Sequence, residues 1–103
     1  MFRTLLLALA APFALSLASP SLAAEQKTID RLMENRACQD CDLSGADLRN
    51  AYLYKATLVG ANLRGANLSG AILFRADLRR ADLTDATWVD GRKCGADSIG
   101  TCK

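Results

Sequence analysis

The fold is decided by residues 41–90, which read CDLSG ADLRN AYLYK ATLVG ANLRG ANLSG AILFR ADLRR ADLTD ATWVD when divided into fives. Each unit has a small residue at its first position and leucine at its third, except that Trp88 replaces the last leucine. A five-residue step would rotate successive leucines of an α-helix by about 140°, and would send those of a flat strand to alternate faces. The pattern therefore predicts that the chain turns once per unit and directs each third residue toward a common axis. These core positions are Leu43, Leu48, Leu53, Leu58, Leu63, Leu68, Leu73, Leu78, Leu83 and Trp88.

The second and fifth positions of the units favour turns. Aspartate or asparagine fills the second position at Asp42, Asp47, Asn62, Asn67, Asp77 and Asp82. Such side chains bond readily to nearby backbone. Glycine fills the fifth position at Gly45, Gly60, Gly65 and Gly70, where a permissive backbone helps a corner. An α-helix rich in alanine and leucine is the alternative. The unbroken five-residue spacing and the glycines at the fifth positions argue against it.

Consecutive Ala-Asp/Asn-Leu units over residues 41–90 resemble the pentapeptide-repeat proteins. The resemblance implies an all-β fold, a right-handed quadrilateral β-helix with four units per turn, so that residues twenty apart stack. The units of this chain would then make about two and a half turns. The second position departs from the family pattern at Tyr52, Thr57, Ile72 and Thr87, which bears on the surface rather than on the fold.

Residues 1–23 are predicted to be a secretory signal peptide. Arg3 lies near the start, an apolar stretch follows from Leu5, and Ser21 and Ala23 supply the small residues of a cleavage site. Cleavage is expected after Ala23 or after Ala24. The apolar stretch contains two prolines and is shorter than the roughly 20 residues of a spanning helix, so we expect no stable membrane span after cleavage. The mature chain is expected to be exported, either periplasmic or extracellular.

Both ends of the solenoid need covering, because a solenoid exposes its core there. Residues 24–40 are predicted to form a capping helix and a linker, with the helix over residues 28–36 and Thr28 as its N-cap. A partner-binding helix is the alternative. Trp88 is expected to plug the other end, and residues 91–103 to form a carboxyl-terminal cap with a disulfide.

The four cysteines, an even number in an exported chain, indicate disulfides. Cys38 and Cys41 lie at the entry of the stack, whereas Cys94 and Cys102 lie at its exit, and the stack separates these ends. A disulfide needs Cα atoms within about 7 Å, so we predict Cys38–Cys41 and Cys94–Cys102, the second pair more firmly. Buried thiols at Cys38 and Cys41, or a thiol-redox protein that uses this pair, remain alternatives.

The sequence argues against an enzyme. It contains no histidine, which excludes a Ser/His/Asp set and a histidine metal site. It also lacks a glycine-rich phosphate loop. We therefore predict no catalytic residue, no metal, no cofactor and no small-molecule substrate.

Stacking of residues twenty apart predicts one unusual face, which is apolar where the other outward positions are mostly polar. Its members are Tyr52, Tyr54, Ile72 and Phe74, with Lys55 and Arg75 at its edge. Such a patch often marks an interaction surface, which suggests a protein partner or self-association in the cell envelope. Ladders that merely stabilise the stack are the other interpretation.

The charge balance bears on the choice of partner. With 13 basic and 11 acidic residues, the chain is close to neutral, and no nucleic-acid partner is expected. A nucleic-acid-mimic inhibitor like the gyrase-protecting pentapeptide-repeat proteins is an alternative.

Overall fold

A computed structural model of the chain describes residues 20–103, with side chains from Glu25 onward. One helix, α1, spans Pro20–Asn35. The rest of the described chain forms isolated β-bridges rather than continuous strands, because each extended piece ends at a corner after about three residues. The predicted signal peptide, residues 1–23, lies almost entirely outside the described residues.

The helix is longer than residues 28–36, and the prediction of Thr28 as its N-cap is wrong. Thr28 lies inside α1, which begins at Pro20. Proline is well tolerated in a first helical turn, and most of residues 21–27 are good helix formers. Part of the segment assigned to the signal peptide is therefore helical.

Seven parallel bridges join residues twenty apart, so the repeat makes one turn in every four units. The bridges define four faces. Face 1 holds Ala37, Thr57 and Asp77; face 2 holds Asp42, Asn62 and Asp82; face 3 holds Asp47, Asn67 and Thr87; and face 4 holds Tyr52 and Ile72. The chain thus pairs with itself once in every four units. The pattern begins one unit before residue 41, because Cys38 occupies a third position and Ala37 the outward position before it.

The core consists of first- and third-position side chains. The leucines from Leu43 to Leu68 and Leu83 are buried, together with most of the repeat alanines. Leu73, Leu78 and Trp88 are only partly buried and pack against the edge of this core. Leu73 and Leu78 belong to faces 4 and 1, beneath which none of the residues 20–103 forms a further bridge.

Each end of the stack carries a cap. At the start, Leu32 of α1 is fully buried in the core and Ile29 packs against it. At the other end, the chain reverses and pairs in antiparallel bridges, Asp82 with Ile99 and Thr87 with Lys93. Among the residues that the structure describes, no helix is long and apolar enough to cross a membrane.

Candidate functional site

Face 4 brings together the four apolar side chains that the twenty-residue register predicts. We call Tyr52, Tyr54, Ile72 and Phe74 the aromatic face. Tyr52 and Ile72 form a parallel bridge, which fixes the two layers of the face against each other. The side chains of Tyr52, Ile72 and Phe74 are 50%, 48% and 66% exposed, and Tyr54 is half-buried between them. The face is thus a continuous apolar surface open to solvent.

The rings of this face are stacked. The Tyr52 and Tyr54 centroids lie 6.1 Å apart at an interplanar angle of 26°, and those of Tyr54 and Phe74 lie 5.9 Å apart at 12°. Such offset pairs hold each ring in place at little entropic cost. The face is therefore preorganised.

Three cations border the rings. The Lys55 ammonium lies 5.3 Å from the Tyr54 ring centroid, and the Arg75 guanidinium 5.8 Å from that of Phe74. Both were predicted at this edge. Arg36 adds a third cation, 5.3 Å from the Tyr52 ring. The repeat pattern did not indicate Arg36, because it occupies the first position of the unit before residue 41, where the other units carry alanine or cysteine.

The aspartates of the repeat act as turn residues, as predicted. All six second-position Asp and Asn side chains accept a hydrogen bond from the backbone N–H two residues later. The Asp47 carboxylate also accepts two bonds from the Arg49 guanidinium, at 2.8 Å each, and these bonds lower the pKa of Asp47 to about 2. Hydrogen bonds from Arg79 lower the pKa of Asp77 in the same way. Carboxylates stabilised as anions are poorly suited to accept a proton at neutral pH.

Both predicted disulfides are present, Cys38–Cys41 with a Cα separation of 5.4 Å and Cys94–Cys102 with 5.0 Å. The side chains of Cys38 and Cys41 are buried, and the Arg31 guanidinium donates a 2.7 Å hydrogen bond to the Cys41 sulfur. This pair follows the carboxyl-terminal end of α1. A redox CxxC normally uses the positive amino-terminal end of a helix, so this placement disfavours the redox alternative.

The structure offers no obvious place for a metal ion. Over residues 20–103, no three cysteine, aspartate or glutamate side chains lie close enough together to share one.

A four-unit turn, an inward leucine ladder and turn-forming aspartates define a solenoid repeat protein. The chain belongs to the pentapeptide-repeat family: eight copies of the family model for pentapeptide repeats match it, over residues 37–70 and 51–87. The match starts at Ala37, as the bridge pattern does. No curated protein and no solved structure matches the chain.

Proposed function

We propose that this chain is a non-enzymatic protein-interaction module of the cell envelope, which binds a protein partner through the aromatic face. The observation that carries the proposal is the exposure of Tyr52, Ile72 and Phe74, about half of each side chain or more, on one continuous surface. Tyrosine, phenylalanine and arginine are enriched at the centres of protein interfaces. The preorganised rings would lose little side-chain entropy on binding.

A purely stabilising ladder accounts less well for this surface. Stacking of Tyr54 on Phe74 contributes to the stack whether or not a partner binds. A ladder that only stabilises the stack does not account for Ile72 and Phe74, which are 48% and 66% exposed to solvent. Apolar side chains grouped on one face of a small protein favour a binding role.

The proposed compartment and the finer architecture rest on the sequence. The basic start, apolar stretch and small residues of positions 1–23 favour export to the periplasm or the extracellular space. The cysteine count agrees with an oxidising compartment. We propose that the solenoid is the right-handed, four-sided β-helix that the family resemblance implies.

The alternative functions are less well supported. A nucleic-acid mimic needs an acidic surface, whereas three cations border the aromatic face. A protein partner with an apolar patch and acidic surroundings fits this face better.

The test is a pull-down from an envelope extract with wild-type protein and the double variant Tyr54→Ser plus Phe74→Ser. We expect the double variant to lose the partner, because it removes the central stacked pair. Both changed side chains point outward, so we expect the double variant to fold. Circular dichroism and thermal unfolding check this.

The matched control is Ser44→Ala plus Arg64→Ser. These residues occupy the same position of the unit on face 2, half a turn away, and are exposed. The control should retain the partner. The proposal is contradicted if both double variants keep the partner or if both lose it equally. Self-association is measured separately, from the mass of the protein in solution.

A further inference from the structure

The carboxyl-terminal end of the solenoid is closed on two faces and open on the other two. The cap pairs with face 2 through the Leu83 N–H, which donates to the Ser98 carbonyl at 2.7 Å. It pairs with face 3 through the Cys94 N–H, which donates to the Ala86 carbonyl at 2.8 Å. The last layer of faces 4 and 1, residues 71–80, receives no backbone hydrogen bond from the cap within the described chain, although Gly100 of the cap lies beside the Leu78 carbonyl and the Arg80 N–H. We call this layer the open edge.

The preceding turn of the solenoid shows which backbone N–H and C=O groups of the open edge point away from the stack and are left unpaired. There the N–H groups of Leu53, Lys55, Leu58 and Gly60 donate downward to carbonyls of the next layer at 2.8–3.0 Å. The equivalent N–H groups of the open edge, one turn later, have no backbone acceptor among residues 20–103. They belong to Leu73, Arg75, Leu78 and Arg80. The carbonyls of Ala71 and Ala76 likewise receive no backbone donor there.

Apolar surface accompanies these backbone groups. Leu73 and Leu78 are the central leucines of the open edge, and both are partly exposed, whereas Leu53 and Leu58 above them are fully buried. An edge with free donors and apolar side chains is a template for another extended segment.

The charge around the open edge is positive. Arg75, Arg79 and Arg80 flank it, and the Asp77 carboxylate pairs with Arg79 at 2.7 Å. One turn above, the Asp40 carboxylate and the Arg80 guanidinium both lie beside Gly60. Arg75 and Arg80 form no ion pair with any described residue. A cavity of about 630 Å³ lies at the face 1 end of the edge, lined by Arg79 and Arg80 and by Ile99 of the cap. Acidic side chains would be favoured here.

The cap disfavours direct pairing of the open edges of two copies. It occupies the layer beneath faces 2 and 3, as its bridges to Asp82 and Thr87 require. Two copies that met open edge against open edge would place their caps in the same layer, where they would collide before the edges came within the strand spacing of about 4.8 Å. A single extended segment, one layer thick, fits beside the cap.

We propose that the open edge binds an extended acidic segment of a partner protein, which pairs with the backbone of residues 71–80 and completes the last layer of the solenoid. The segment follows two faces, so its residue at the corner below Arg75 must adopt a left-handed conformation like that of Arg75, whose φ is 63°, and glycine adopts this conformation most readily. Small and apolar residues on its inner side cover Leu73 and Leu78. This proposal uses backbone groups below face 4 and does not depend on the aromatic face.

The probe is the capped peptide Ala-Thr-Leu-Glu-Gly-Ala-Thr-Leu-Glu, which places apolar residues inward and glutamate near the arginines. Amide hydrogen exchange of the full chain is followed by NMR. At a free peptide concentration about ten times the Kd, exchange at Leu73, Arg75 and Leu78 should slow about tenfold. Exchange at Leu53 and Leu58, which are already paired, should change little.

Two controls test the charge and the surface. A peptide with lysine in place of both glutamates should bind about tenfold more weakly, and Arg75→Glu plus Arg80→Glu should reverse this preference. Tyr52→Ser plus Tyr54→Ser, which changes two residues of the aromatic face outside the open edge, should leave peptide binding unchanged, and this separates the proposal from the function of the aromatic face. The proposal is overturned by equal binding of both peptides, by no protection at the three amides, or by protection that rises with protein concentration alone.

Discussion

At the scale of single residues, the corners determine the path of the chain. Every fifth residue from Asp40 to Asp85 has φ between 55° and 75°, whether or not it is glycine. The sequence indicated the corners through its glycines. It could not show that Lys55, Arg75 and Arg80 adopt the same left-handed conformation, because the packing of the solenoid imposes it against their preference.

Substitutions of two corner glycines should separate backbone strain from crowding. Gly45 and Gly70 have φ of 69° and 75°, so replacement by alanine strains both, by about 1 kcal/mol. A methyl group at Gly70 would also collide with the side-chain oxygen of Asn50, whereas the space beside Gly45 is open. We expect Gly70→Ala to lower the free energy of unfolding by about 1 kcal/mol more than Gly45→Ala, measured by urea denaturation.

The excess loss should largely disappear when both glycine variants are made with Asn50→Ala, since the colliding group is then absent. Equal losses for the two glycines in the natural background would show that the one-turn stacking of Asn50 on Gly70 is absent.

At the scale of elements, the repeat was predictable and its ends were only partly so. Leucine and alanine at fixed spacing determine the register, which places Tyr54 on Phe74 without further information. The caps lie outside the repeat, so no periodic pattern shows which faces they cover. Sequence reasoning therefore missed the antiparallel pairing of Ile99 with Asp82, and with it the open edge. It also began the helix too late, at residue 28 instead of Pro20, because residues 20–23 were assigned to the signal peptide.

The two disulfides should contribute unequally to stability. Cys94–Cys102 closes a separation of eight residues and holds the cap against faces 2 and 3, whereas Cys38–Cys41 closes a separation of three. Loop entropy in the unfolded chain grows with loop length, so Cys94→Ser plus Cys102→Ser should cost roughly 2–3 kcal/mol, and Cys38→Ser plus Cys41→Ser about 1.5 kcal/mol. Chemical denaturation of the two paired variants measures both values, and a larger loss from the Cys38–Cys41 pair would contradict this ordering.

At the scale of the whole molecule, the short stack makes its surfaces unequal. Faces 2 and 3 carry turn residues and the cap, whereas face 4 carries the aromatic face and the open edge lies beneath faces 4 and 1. A long solenoid would repeat each face many times. Here each face has two or three layers, so a single departure such as Ile72 in place of aspartate changes the character of a whole face.

Both proposed surfaces depend on the four-unit turn, which two-dimensional NOE spectroscopy tests most directly. The ring protons of Tyr54 and Phe74, and the backbone protons of Thr57 and Asp77, should give cross-peaks, because these residues are neighbours at a separation of twenty. Cross-peaks between residues four apart at consecutive positions throughout residues 41–90, or between residues fifteen apart, would contradict the four-unit turn and both surfaces with it.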